Sequence, residues 1–100
     1  MTDIKQEILV VDDEPSGAEI VADFLRIEGY RSLVCTHPQE ALAAFKKGRF
    51  SLAFVDINLP VMTGLALASK LKEIDPRIEI IFMTGYGTFD KGVALFHFSI

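Results

Sequence analysis

The chain contains short runs that leave no polar side chain for water on either face of a strand. Ile8-Leu9-Val10-Val11 is one, and Leu52-Ala53-Phe54-Val55 is another. A strand with one wet face alternates polar and apolar residues. A run without alternation, rich in β-branched and aromatic residues, has to be covered on both sides. That demand excludes a sheet open to solvent on one face. It also calls for helices in between, since parallel buried strands are joined by crossovers.

The helices are present at the right places. Pro15 suits the first turn of a helix, and Ala18, Val21, Ala22 and Leu25 recur at helical spacing up to Ile27, with Gly29 as a stop. Arg31 to Cys35 reads as a second strand. Thr36 is the expected cap of a second helix with Pro38 in its first turn and Ala41, Leu42 and Phe45 inside. Lys46 and Lys47 are expected at its C-terminal end, where the helix dipole favours cations, with Gly48 ending it. After the third strand, Gly64 to Ile74 forms a third helix with Leu67, Leu71 and Ile74 on one stripe, broken by Asp75-Pro76. Ile78 to Met83 reads as the fourth strand, and Phe89 to Phe98 as a fourth helix with Gly92 inside it. Alternating strands and helices with doubly buried strands predict an α/β fold, a parallel sheet flanked by helices on both faces.

At 100 residues the chain is expected to be a single domain. Half of it is apolar and 24% is charged, a globular composition. The net charge of −4 and the scattered lysines and arginines exclude a nucleic-acid footprint. No apolar run reaches membrane-spanning length, and the polar start is unlike a signal peptide. Both point to a cytoplasmic protein. Cys35, the single cysteine, reads as a small buried hydrophobe. His37 reads as a solvated residue at a helix start. His97, between two phenylalanines, has no partner ligand near it in sequence, and Gly85-Tyr86-Gly87 is too short for a nucleotide loop.

The chemistry gathers at strand ends. The first strand runs into Asp12-Asp13, the third into Asp56 and the fourth into Thr84. Open α/β sheets bind ligands beyond the carboxyl ends of their strands, where strand order reverses. If the first and third strands are neighbours, these residues converge. Each has an ordinary reading alone: Asp12-Asp13-Glu14 as a helix N-terminus, Asp56 with Asn58 and Pro60 as a turn. Together, three carboxylates would repel one another and take up a proton unless compensated. Mg²⁺, a hard cation with oxygen ligands, compensates them and also accepts phosphate oxygens. A carboxylate nucleophile beside such an ion suits aspartyl-phosphate chemistry. Thr84 would add a hydroxyl donor, and the Gly85 N–H another.

Three segments carry a family resemblance. Ile8-Leu9-Val10-Val11-Asp12-Asp13-Glu14-Pro15, then Val55-Asp56-Ile57-Asn58-Leu59-Pro60 with Gly64, then Ile80-Ile81-Phe82-Met83-Thr84 resemble, in order and spacing, the receiver domain of two-component response regulators. The resemblance implies a flavodoxin-like (CheY-like) sheet with strand order 2-1-3-4-5. It implies phosphotransfer to Asp56 from a phosphohistidine on a sensor histidine kinase or phosphotransfer protein. It further implies Mg²⁺ bound directly by Asp13 and through water by Asp12, with the Asn58 carbonyl and Asp56 as further ligands, and Thr84 contacting the phosphoryl group.

The family's fifth strand ends in a Lys-Pro pair, and this chain has none; Lys91 is a poor substitute. The expectation is therefore a receiver that is C-terminally incomplete, with the fifth strand and helix missing. Its phosphorylation is expected to be weaker. The exposed edge of strand four and the poorly seated Phe96 and Phe98 predict a homodimer, strand exchange or marginal stability. Two other readings stand beside the signalling switch: a degenerate, phosphorylation-independent interaction module, and a phosphatase using Asp12 and Glu14, which would need a cap domain.

Overall fold

The computed structural model describes residues 7–85 and 93–98, with Thr84, Gly85 and 93–98 described by their backbone. The elements run β1 (Glu7–Val11), α1 (Pro15–Ile27), β2 (Ser32–Cys35), α2 (Pro38–Ala44), β3 (Phe50–Asp56), α3 (Gly64–Ile74), β4 (Glu79–Gly85) and β5 (Val93–Phe98). They form one sheet in the order β2-β1-β3-β4-β5. The first four strands are parallel, so the expected order 2-1-3-4 is found.

The unalternating apolar runs are explained by two cores. Leu9, Val11, Ala53, Val55, Ile80 and Phe82 lie beneath α2 and α3, against Ala41, Leu67, Ala68 and Leu71. Ile8, Val10 and Met83 face the other way, against Ala18 and Leu25 of α1. Successive strand residues thus serve opposite layers. α1 ends as the sequence implies. Gly29 turns at φ 92, its N–H donates to the Arg26 carbonyl and that of Tyr30 to Leu25. These two bonds are the Schellman closure of a helix.

α2 departs from expectation at both ends. Its N-cap is His37, whose Nδ1 accepts from the Gln39 N–H at 3.2 Å. Thr36 sits outside the helix and donates its N–H to Glu40 Oε1 at 3.1 Å. The helix stops at Ala44, because Phe45 takes an extended conformation and stacks on Phe50, with ring centroids 5.6 Å apart. Burial of that ring outweighs another helical turn. Lys46 and Lys47 consequently lie beyond the helix, in the turn that Gly48 closes at φ 83.

Asp75 locks that turn from a distance. It is the C-cap of α3 and only 4% exposed. Its carboxylate accepts from the Gly48 N–H at 2.9 Å and the Arg77 N–H at 3.1 Å. Those two bonds hold its pKa below the usual carboxylate range. Asp75→Ala is expected to destabilise the fold by about 2 kcal/mol, since it removes two hydrogen bonds to a charged group. Because the folded pKa is depressed, the contribution is complete above the ordinary carboxylate range and lost on acidification through the lowered value. Urea melts of both chains at neutral and acid pH check this: the difference should shrink in acid.

The largest correction concerns the C-terminal segment. The expected helix Phe89–Phe98 is replaced over 93–98 by β5, which runs antiparallel to β4, from Gly85 opposite Val93 to Ile80 opposite Phe98. Phe89 and Lys91 lie outside the described residues. Seven residues, 86–92, separate the two strands. A parallel return needs a crossover of about a dozen or more, so only an antiparallel partner can form. Val93, Phe96 and Phe98 favour a strand, and Gly92 disfavours a helix. The edge of strand four, expected to be open and to support a homodimer, is therefore covered. The parallel fifth strand implied by the resemblance is absent among the described residues.

Candidate metal and phosphoacceptor site

β1 and β3 are neighbours in the middle of the sheet, and the chain goes from β1 outward to β2 before crossing to β3. Strand order reverses between them, which makes this the crevice where such sheets bind ligands. Val11 pairs with Val55, so Asp12 and Asp56 leave the sheet side by side. One ligand oxygen from each of Asp12, Asp13 and Asp56 falls within 4.8 Å of the others. Asp12 and Asp56 are half-buried and Asp13 is exposed.

Local hydrogen bonds fix the two inner carboxylates. Asp12 Oδ1 accepts from the Glu14 N–H at 3.0 Å, and Asp56 Oδ1 accepts from the Asn58 N–H at 2.9 Å. Each is an Asx turn that aims the side chain back over the strand end. The Ile57 N–H donates to the Met83 carbonyl, tying the end of β3 to β4. Thr84 follows Met83, the register partner of Asp56, so its backbone reaches the same edge. Asn58 is exposed in the turn beside Asp56. Glu14 is the N-cap of α1 and falls outside the carboxylate cluster.

Two glycines make the geometry possible. A Cβ on Gly17 would come within 2.9 Å of Asp12 Oδ2 and press that carboxylate out of place. A Cβ on Gly64 would strike the Asp56 carbonyl oxygen and come within 2.8 Å of Ile57 Cα. Without one, the Gly64 N–H donates to the Ile57 carbonyl at 2.8 Å. The loop between Asp56 and α3 is strained: Val61 takes φ 72 in a γ-turn closed by the Met62 N–H and the Pro60 carbonyl. A β-branched residue at positive φ is a true outlier. Thr63, the N-cap of α3, anchors the loop by accepting from the Ala66 N–H.

The three carboxylates concentrate negative charge at this end of the sheet. Burial first, then Asp56 and Asp13, push the Asp12 carboxyl up to about 6 against the opposing Glu14 hydrogen bond. An all-oxygen, carboxylate donor set fits a hard divalent cation such as Mg²⁺. Proton and cation then compete. Mg²⁺ affinity is expected to be full above about pH 6 and to fall by up to about tenfold per unit below it, as Asp12 takes up its proton. The metal-free fold behaves oppositely. A raised carboxyl pKa favours the folded state at acid pH, and that stabilisation is lost as pH rises through about 6. Calorimetric Mg²⁺ titrations on either side of that value test the first statement; an affinity independent of pH would refute it.

Four parallel strands with an acidic cluster at the switch point define an α/β module with the donor set for a divalent cation, and sequence comparison makes the class specific. The family model of the response regulator receiver domain matches residues 8–99. The chain belongs to that family. Sporulation initiation phosphotransferase F of Bacillus subtilis is 31% identical over 87 residues, which are 87% of this chain and 70% of that protein. A CheY-like receiver domain of Methanospirillum hungatei superimposes with a TM-score of 0.77 at 32% identity, covering 87% of this chain and 70% of that one. TrrA of Thermotoga maritima, crystallised with Mg²⁺ and BeF, gives a TM-score of 0.74 at 33% identity over 87% of this chain and 76% of its own. The same protein in complex with the histidine kinase ThkA gives 0.73 at 34% identity, covering 84% and 72%. Other curated relatives are longer: the chain spans 37% and 21% of two transcriptional regulators. Among the described residues no helix is long and apolar enough to cross a membrane.

Proposed function

We propose that this chain is a Mg²⁺-dependent phosphoacceptor of two-component signalling, residues 1–100 acting as one receiver unit in the cytoplasm. The observation that carries the reading is the meeting of Asp12, Asp13 and Asp56 at the switch point of the sheet. A bound Mg²⁺ would supply charge neutralisation at the phosphoryl oxygens, held directly by Asp13, Asp56 and the Asn58 carbonyl and through water by Asp12. An Asp56 carboxylate oxygen attacks phosphorus. The bond to the donor histidine nitrogen breaks, and its electron pair returns to the imidazole. Thr84 donates its hydroxyl to a phosphoryl oxygen. The chain acts as a switch that accepts one group, not as an enzyme that turns substrate over.

The donor is a histidine kinase or phosphotransfer protein. α1, which begins just beyond the acidic pair, carries an exposed apolar stripe of Ile20, Phe24 and Ile27, with Phe24 61% exposed. Such a stripe suits a helical docking partner. Phe24→Glu is expected to lower the rate of transfer from a phosphorylated histidine-kinase domain at least about tenfold, the loss of one interface anchor. It should leave labelling by acetyl phosphate unchanged. Equal loss with both donors would mean that the substitution damages the site.

The competing reading is an interaction module that works without phosphorylation. The antiparallel β5 favours it, since a strand of that polarity departs from the family arrangement. It prevails if Mg²⁺ binds while no adduct forms at any donor concentration.

A further inference from the structure

We propose that β5 is a self-pairing edge, through which two copies of this chain join their sheets across a two-fold axis. The argument starts from backbone polarity. The Met83 carbonyl accepts from Ile57 in β3, so Met83 turns its backbone groups toward β3 and away from β5. Alternation along the strand then makes Ile80, Phe82 and Thr84 the residues bonded to β5, through Phe98, Phe96 and Ala94. The remaining β5 residues, Val93, Leu95 and His97, turn their N–H and carbonyl groups outward.

No strand lies beyond β5 among the described residues. Protein edges of this kind are usually blunted by charge, proline, a bulge or shortness. The other edge, β2, is only four residues long. β5 has six, and Val93–Phe98 contains no proline and no Lys, Arg, Asp or Glu. A second copy is the occupant because the edge is complementary to itself. With the axis at Leu95, Leu95 meets Leu95 and Val93 meets His97 twice, so all three outward residues fall in pairs that exchange both N–H···O bonds. Such an isologous contact uses up both edges and closes at two copies. It is independent of phosphorylation at Asp56.

Light scattering on the 100-residue chain over a dilution series should give twice its 11.1 kDa mass at high concentration and 11.1 kDa on dilution. Leu95→Pro removes an outward N–H and leaves the bonds to β4, so it should be monomeric at every concentration with an unchanged far-UV spectrum. Amide exchange on the unmodified chain supports the test should that variant fold poorly. Val93, Leu95 and His97 should gain protection with concentration, while Ala94, Phe96 and Phe98 stay protected throughout. A monomer at all concentrations, a dimeric Leu95→Pro in a chain of unchanged spectrum, or concentration-dependent protection in β2 instead would overturn the proposal.

Discussion

Asp56→Asn should give a folded chain that takes up no phosphoryl group from acetyl phosphate or from a phosphohistidine donor. The amide is nearly isosteric and its oxygen can still accept from the Asn58 N–H, so the Asx turn at the end of β3 persists. What disappears is the anionic nucleophile, and with it the acid-labile adduct. The loss should reach background, and Asp12 or Asp13 should not substitute, since both follow β1. A second effect runs the other way. Removing one of three mutually repelling carboxylates relieves the site, so metal-free Asp56→Asn should be more stable by on the order of 1 kcal/mol, the worth of roughly one pKa unit. The Asp12 pKa should fall back from about 6, because Asp56 helps to raise it. Mass spectrometry after acetyl phosphate treatment and paired urea melts measure both. An adduct that survives the substitution would place the nucleophile elsewhere and defeat the proposed function.

Gly64→Ala should damage the fold severely for a change of one methyl group. The added carbon meets backbone, the Asp56 carbonyl and Ile57 Cα, and neither can swing aside as a flexible side chain would. The start of α3 must move away from the end of β3. That breaks the bond from the Gly64 N–H to the Ile57 carbonyl and loosens a loop already strained at Val61. A cost of about 3 kcal/mol is expected from overpacking, together with weaker Mg²⁺ binding as the Asp56 carboxylate loses its seat. Denaturant melts and calorimetry report the two separately. Unchanged stability would mean that the close approach is not required.

What could be read from sequence followed the range of the interactions involved. β1, α1 and the middle of β3 were legible because periodicity, Pro15 and Gly29 act locally, and the two core faces account for every unalternating strand residue. The acidic cluster was legible because a general rule of parallel sheets converts strand ends into neighbours. The end of α2 was not, since it depends on Phe45 finding Phe50. Asp75 beside Pro76 signals a helix end, but nothing local signals that its carboxylate holds the Gly48 N–H 27 residues away in sequence. Gly64 was noted for its spacing, but its reason lies in a contact with the end of β3, and Gly17 gave no signal at all. The segment 93–98 failed for a topological reason. Only seven residues carry the chain from Gly85 to Val93, too few for a parallel crossover.

The polarity of β5 also settles which pole of the sheet its last residue occupies. Phe98 lies opposite Ile80, near the start of β4, whereas Asp56 stands at the far pole where the parallel strands finish. A reporter or output module tethered after β5 would begin about one strand length from the acidic crevice, roughly 20 Å. Such a tether would sense events at Asp56 only through the body of the sheet. A label placed at the end of β5 should neither crowd the crevice nor compete for its cation.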